Sequence, residues 1–459
     1  METEILARAQ FAFTIAFHYI YPPLSIGLGL MLVIMEGMYL KTGKKIYEQM
    51  TRFWIKIFAL IFGIGVATGI IMEFEFGTNW ATYSKYVGDI FGSALAAEGI
   101  FAFALESGFL GVLLFGWNRV SSKVHFFSTL MVFFGAMFSA LWIVVANSWQ
   151  QTPAGFHIVG TGMNARAEVI DFWAMVFNPS SVDRLFHVLI GAILSGAFLV
   201  LSINAYYILK NKYLEIAKPA FKMALVVATV FSVAQLWAGD RSANVVAKYQ
   251  PTKLATMEAH YDTSAVADMY LFGWVNNTKQ KVTGIKIPGG LTFLLHGNFK
   301  TPVTGLNAFK PEERPRQVNA VFQFYHLMIA IGIILIFLTL YASWQWKKGK
   351  LFEKRWLMIV FAWAVFLPQI ANQVGWFTAE MGRQPWVVYG LLRTSDALSK
   401  AVSANEIIFS LILFTLVYST LFILFLYLLN KKIQHGPVDY GTKEDIEQGS
   451  LRDNPLLTH

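Results

Sequence analysis

The chain has 459 residues, 56% hydrophobic, 16% aromatic and only 14% charged, whereas a soluble globular chain carries about a quarter charged residues; it reads as a polytopic membrane protein. Its 37 Lys and Arg against 28 Asp and Glu give a formal net charge of +9, but the basic residues lie in short tracts between apolar runs rather than on one face, so nucleic acid is not an expected partner. The absence of cysteine excludes disulfides, iron–sulfur clusters, thiolate-ligated haem and cysteine-bound zinc, leaving metal chemistry to His, Met, Glu, Asp or Tyr.

Residues 1–10 carry Glu2, Glu4 and Arg8 and lack the basic start of a secretory signal, so the first apolar run is expected to stay in the mature protein. A lipid-spanning helix needs about 20 mostly apolar residues. Nine stretches qualify: 11–40, 53–76, 93–116, 124–148, 183–210, 218–239, 318–346, 356–377 and 404–430. The expected fold is therefore all-α, a bundle of nine transmembrane helices. Gly65 and Gly69 form a GxxxG in the second span, read as a mark of close helix packing.

One set of short connections is rich in base: Lys41, Lys44, Lys45 and Arg52; Arg119 and Lys123; Lys210, Lys212 and Lys218; Lys347, Lys348, Lys350, Lys354 and Arg355; Lys431 and Lys432. The alternate set is poorer. By the positive-inside rule the N-terminus is expected outside and the C-terminus in the cytoplasm. The polar segment 240–317, about 77 residues rich in Pro, Gly and Lys, then falls outside; a loop of that length without periodicity is usually functional or disordered. The expected division is 1–239 for spans one to six, 240–317 for the outer loop, 318–430 for spans seven to nine and 431–459 for a cytoplasmic tail.

Ionisable groups at the centre of a bilayer cost about 2.5 kcal/mol or more, so each is a functional candidate. His18, Glu98, Glu106, His187, His326, Met328 and Glu380 all fall toward the outer half of their spans. Singly, each has a plain reading: a lone His is more often an interhelical hydrogen-bonder, a Met in an apolar helix is usually packing, and Glu106 can simply bond a neighbouring helix. His125 and Glu36, near the cytoplasmic ends, are placed in that class. Together, though, His, Met and carboxylate are the groups that bind haem iron where Cys is excluded, and a His/Met pair is a low-spin electron-transfer set. With 14 Trp and 40 Phe to pack around flat macrocycles, a multi-haem protein is favoured. His326 and Met328, two residues apart, point about 200° apart on a helix and cannot share one iron. Glu98 and Glu106, eight apart, stand about 12 Å along the axis and about 80° around it, as a proton relay needs.

Several motifs resemble subunit I of the cytochrome bd-type quinol:oxygen oxidases of prokaryotes: Gly375-Trp376-Phe377 followed by Glu380-Met381-Gly382-Arg383-Gln384-Pro385-Trp386; the run from Met72 to Trp80; Glu98-Gly99 with Glu106-Ser107; and Gln250-Pro251-Thr252-Lys253-Leu254-Ala255 with Glu258. The resemblance covers essentially all nine spans. It implies a terminal respiratory oxidase that oxidises membrane quinol at the outer face, reduces dioxygen to water and generates a proton motive force without pumping. It implies His187 and Met328 as axial ligands of a low-spin haem b. His18 and Glu380 would ligate two high-spin haems, one haem b and the other haem d or a further haem b, with Glu98 beside them. Arg383, Trp376 and Glu73 would lie near the haems, Glu106 on a proton path, and Lys253 and Glu258 at the quinol in a short "Q loop". Implied partners are quinol, dioxygen, a second membrane subunit (subunit II) and a small single-span subunit; the implied location is the prokaryotic cell membrane.

The chain departs from the pattern of many relatives in carrying His326 where they have Arg, two residues before the ligating Met. A haem b-only oxidase of the same family is an alternative, and a proton-coupled transporter using the same buried carboxylates is a more distant one; the latter would have discontinuous helices and inverted repeats, and the sequence displays neither.

Overall fold

The computed structural model describes residues 2–438; the end of the expected tail, 439–459, lies outside the described residues. Among the described residues nine helices are long and apolar enough to cross a membrane: Thr3–Thr42, Lys45–Thr78, Gly88–Phe115, Ser122–Gln151, Ser181–Leu209, Leu214–Tyr249, Val318–Lys347, Arg355–Met381 and Ala404–His435. They are called the first to ninth spans. The connections 79–87, 152–180, 250–317 and 382–403 meet at one end of the bundle: Ala81 N–H donates to Ser399, Gln250 donates to the Gln151 carbonyl, and Arg393 to that of Glu312. This is the hairpin end; the Lys-rich connections make up the basic end.

Three spans are interrupted, which corrects the expectation from the sequence that no helix is discontinuous. The first breaks into Glu2–His18 and Tyr21–Thr42 because Pro22 and Pro23 have no N–H to return to the carbonyls of His18 and Tyr19. His18 thus sits at the mouth of a kink. The eighth breaks between Trp363 and Phe366, where Pro368 deprives the Ala364 carbonyl of its helical donor. The third carries a π-helical turn over Glu98–Phe103. That wider turn lies between Glu98 and Glu106, so the regular α-helical offset expected for the two carboxylates does not hold.

The sixth helix runs ten residues past the expected limit at 239, because hydropathy marks lipid rather than helix; its polar extension is tied by Arg241 to Asp183, 2.6 Å away. The segment 250–317 is ordered, not irregular: a short helix Pro251–Met257, a hairpin of strands Met269–Asn276 and Lys281–Ile287 with a bulge near Tyr270, and a helix Gly290–His296. Two smaller hairpins, Phe156–Val159 with Arg166–Val169 and Trp386–Val388 with Leu392–Arg393, complete this end.

The fifth span is the most enclosed. Its residues from Ile190 to Ile208 are buried apart from Tyr206, packed in the main apolar cluster with Trp54, Phe58, Phe221 and Phe361. In lipid, helices associate through close packing rather than hydrophobic expulsion, which favours small residues at crossings. A Cβ on Gly27 would stand 2.3 Å from the Ala192 carbonyl oxygen, and one on Gly196 would stand 2.1 Å from the Gly27 carbonyl carbon, so the first and fifth spans touch backbone to backbone. Gly65 and Gly69 do a related job: a Cβ on either would stand 3.3 Å from Tyr21 or His18, respectively, across the kink. At the basic end Glu36 and His125 make a saturated buried pair: His125 Nδ1 is 2.6 Å from Glu36, Thr129 donates to the other carboxylate oxygen, and His125 Nε2 faces the Leu113 carbonyl.

Replacing Gly196 by Val should destabilise the protein by about 3 kcal/mol, the upper end for over-packing a filled interior. A thermal unfolding scan in detergent checks it, and Ala at the same position should lie between Val and wild type.

Candidate functional site

At the hairpin end, side chains from five elements converge on one carboxylate. Glu380, at the end of the eighth span, receives hydrogen bonds from Asn147 (3.1 Å) and Gln151 (3.3 Å) of the fourth span and forms an ion pair with Arg383 one turn on. Arg184, at the start of the fifth span, donates to Asn147. Lys253, 2% exposed on the short helix Pro251–Met257, donates to Gln151. Two guanidiniums and the Lys253 amine thus gather around one carboxylate; Arg383 and Lys253 are buried, while Arg184 and Glu380 are partly buried. Burial, and then the nearby guanidiniums of Arg184 and Arg383, hold the Lys253 ammonium well below the ordinary lysine range. The Nε of Arg184 and Nη1 of Arg383 are buried and have no partner.

His18 Nδ1 lies 3.0 Å from Thr68 Oγ1. The Thr68 hydroxyl proton is directed to the carbonyls of Ile64 and Gly65, both 3.0 Å away, so Oγ1 accepts from Nδ1–H and the Nε2 lone pair is left free. His187 faces Gln235 of the sixth span, whose Nε2 lies 3.2 Å from Nδ1 and also donates to the His187 carbonyl at 3.3 Å, while the Gln235 Oε1 has no partner. Met328 projects toward Gly375, where a Cβ would stand 2.8 Å from its sulfur. His187 approaches Gly239, and Met328 packs in a cluster with Val246. Those two positions of the sixth span are seven residues apart, two turns on one face and about 10 Å.

Other expected residues are more dispersed. Glu98 accepts from Ser139 at 2.5 Å. Glu106 is buried two turns deeper, and Glu73 is exposed on the second span. Trp376 packs 5.3 Å from Phe377 and 6.5 Å from Phe11. His326 turns away from Met328, as its spacing required: its ring nitrogens lie 2.8 Å from the carbonyls of Phe322 and Tyr270, tying the seventh span to the large hairpin. Lys253 and Glu258 do not share a cavity. Glu258, 3% exposed, bonds Tyr325 and lines a pocket of about 260 Å³ with His260, Tyr261, Asp268, Tyr270 and Lys281. Burial pushes the Glu258 carboxyl up to about 7, against the pull of Tyr325, and its Oε2 has no partner.

Among the described residues no three His, Asp or Glu side chains come together as a metal cage. Single His and Met ligands from separate helices instead suit a macrocycle that brings four nitrogens of its own. The two orphaned guanidinium donors and the surplus positive charge suit its carboxylate arms. The residues present therefore fit haem. Asn147, Gln151 and Arg184 escaped the sequence reading; the signal for the amides was their clustering in the last turns of an otherwise apolar helix.

A nine-span helical bundle with haem-type ligands and a buried cationic cluster at one end defines a membrane redox protein. The pattern of the cytochrome bd terminal oxidase subunit I family matches residues 6–437, and the chain belongs to that family. Cytochrome bd ubiquinol oxidase subunit 1 of Bacillus subtilis (strain 168) is 35% identical over 456 residues, covering 97% of this chain and 96% of that protein. Cytochrome bd-II ubiquinol oxidase subunit 1 of Escherichia coli (strain K12) is 35% identical over 510 residues, covering 96% and 98%. A putative cytochrome bd menaquinol oxidase subunit I of Bacillus subtilis is 32% identical over 446 residues. The structure of bd oxidase from Geobacillus thermodenitrificans superposes with a TM-score of 0.87 at 30% identity, covering 95% of this chain and 99% of that one. The chain is thus a multi-pass protein of the bacterial plasma membrane that works with haem, and the transporter alternative falls away.

Glu380→Gln would leave the buried Arg383 and its neighbour Arg184 without their counter-charge. Breaking a buried ion pair from one side costs about 3–5 kcal/mol, so the variant should show a markedly lower unfolding midpoint in detergent and reduced haem retention, read from the haem-to-protein ratio.

Proposed function

We propose that this subunit oxidises a membrane quinol at the hairpin end and passes the electrons to dioxygen within the bundle, as a quinol:oxygen oxidoreductase. The observation that carries the reading is the buried surplus of cations at Arg184, Lys253 and Arg383, placed where the family's Gly-Arg-Gln-Pro-Trp motif ends the eighth span. His187 and Met328 would hold a low-spin haem b, and His18 and Glu380 two high-spin haems, a haem b and a haem d or further haem b. When bound, these groups would supply single-electron transfer and the reduction of dioxygen to water.

The protein's own groups handle charge and protons. Arg184 and Arg383, each with an unpartnered donor, would hold carboxylate arms of the cofactors. Glu258, in the pocket beneath the large hairpin, accepts a proton from the quinol; Lys253, on the same short helix, bonds Gln151 and so links that helix to Glu380. Glu106 and then Glu98, steadied by Ser139, deliver protons for water from the basic end, taken as cytoplasmic by the positive-inside rule. Release of quinol protons on one side and uptake on the other separates charge without a pumping step. The relatives' designation as subunit 1 supports a second membrane subunit, subunit II, as partner, and a small single-span subunit is a further one. The names of the relatives include both ubiquinol and menaquinol oxidases, so either quinol is compatible. Haem extraction with mass identification on the purified complex tests the reading and separates a haem d enzyme from a haem b-only one; colourless protein would end it.

Met328→Leu should abolish most of the low-spin haem signal while leaving oxygen-reactive high-spin haem in place, as read from reduced-minus-oxidised and carbon monoxide difference spectra. Because Glu258 titrates near 7, it is protonated below that pH and unable to take the quinol proton. Quinol turnover should therefore rise with pH through neutrality in the wild type and lose that dependence in Glu258→Gln. Lys253→Ala and Glu258→Gln should both lower turnover with quinol by tenfold or more, about 1.4 kcal/mol, and much less with an artificial donor that bypasses the loop.

A further inference from the structure

Between His18 and the hairpin end, the first, second and ninth spans enclose a polar column with no part in the scheme above. Gln10, Thr14 and His18 recur every four residues and so line one face of the first span at steps of about 6 Å. In the outermost layer Asn79 and Ser410 both donate to Gln10 Oε1, at 3.0 and 3.1 Å. One turn deeper lies Glu75, 1% exposed, with neither carboxyl oxygen partnered. The Thr14 hydroxyl and the Tyr418 phenol are also buried and partnerless. The Thr14 hydroxyl stands close to both Glu75 and Tyr418, yet no hydrogen bond of ordinary geometry closes between them. Tyr418 is fixed there by stacking on Phe17 at 4.4 Å. The next layer is His18 with Thr68.

Four unsatisfied polar atoms converging from three helices are costly in a bilayer unless something lies between them. Water matches the need, since two hydroxyls and a carboxyl offer it both donors and acceptors. The charged and titratable groups on the surrounding elements are His18, and Arg8 with Glu4 at 3.9 Å, on the first span; Glu73, exposed, on the second; and Tyr418 and the helix-capping Glu406 on the ninth. Of these only Tyr418 interacts with Glu75 among the described residues.

We propose that Glu75 is a proton-binding site, hydrated from the hairpin end through the Gln10–Asn79–Ser410 layer, which takes up a proton when the iron held by His18 is reduced and returns it on reoxidation. One proton passes from column water, itself replenished from solution, to the Glu75 carboxylate; the electron it balances comes from quinol oxidation. Neutralising the electron's charge at short range in a low dielectric favours the reduced iron. The inference rests on His18 as a haem ligand.

Redox-difference infrared spectroscopy on the purified complete complex tests it. A protonated-carboxyl band should appear on reduction, vanish in Glu75→Gln and shift in frequency in Thr14→Val. The pH slope of the high-spin haem potential across neutrality should fall to less than half in Glu75→Gln. Carboxyl bands and a pH slope unchanged in Glu75→Gln would overturn the proposal while leaving the haem reading intact; a wild-type complex without haem bands would overturn both. If Glu75→Gln fails to assemble, Thr14→Val decides: a shifted band supports the site and an unshifted one removes it.

Discussion

Two guanidiniums and a lysine amine held around one partly buried carboxylate set the terms for the hairpin end. Two charges removed from water lose several kcal/mol each in solvation, recovered only when partners surround them. Glu380 pairs with Arg383 through one oxygen, and its other oxygen accepts from the amides of Asn147 and Gln151, whose own oxygens accept from Arg184 and Lys253. The C-terminus of the fourth span adds the negative end of its backbone dipole, with Gln250 closing the Gln151 carbonyl. What remains is an excess of positive charge with two guanidinium donors still unspent, which suits an anionic group. The loop, the fourth, fifth and eighth spans all meet there because each contributes one piece of that balance.

A second regularity concerns space. His18 faces Gly69, His187 faces Gly239 and Met328 faces Gly375. Three of the four assigned ligands therefore confront a residue with no side chain, on a different helix. A larger residue at any of the three would fill the volume into which the ligand projects. Polar partners then aim the ring nitrogens: Thr68 for His18 and Gln235 for His187. Position comes from the helix, clearance from glycine and direction from a hydrogen bond.

How much of this was legible in the sequence follows from what each signal measures. Hydropathy found all nine spans, because lipid imposes a length and a composition on every crossing. It misplaced the end of the sixth helix, whose polar turns leave the apolar layer without ceasing to be helical. The breaks at His18 and Ala364 were readable from Pro22, Pro23 and Pro368. The π-turn at Glu98 has no comparable mark, since it depends on packing against the fourth span. The Gly-Arg-Gln-Pro-Trp motif located Glu380 and Arg383. It gave no hint of Arg184 or the fourth-span amides, which are distant in sequence and meet Glu380 only after the bundle forms. Glu75 stood inside a quoted motif with no role, because burial without a partner is a property of three helices together.

The enclosure of the fifth span bears on how the chain is made. Its Ser195 hydroxyl is met by Asn372 at 2.9 Å, and its Ser202 hydroxyl by the Ala362 carbonyl, both from the eighth span. A ribosome must synthesise 160 residues after Ser202, and 177 after Ser195, before those partners exist. Until then the helix most sheltered in the finished protein has to wait in lipid with its polar side chains turned back on its own backbone, as the bond from Ser195 to the Gly191 carbonyl allows. Biogenesis is therefore completed from the C-terminal half, when a late helix releases an early one from a provisional arrangement.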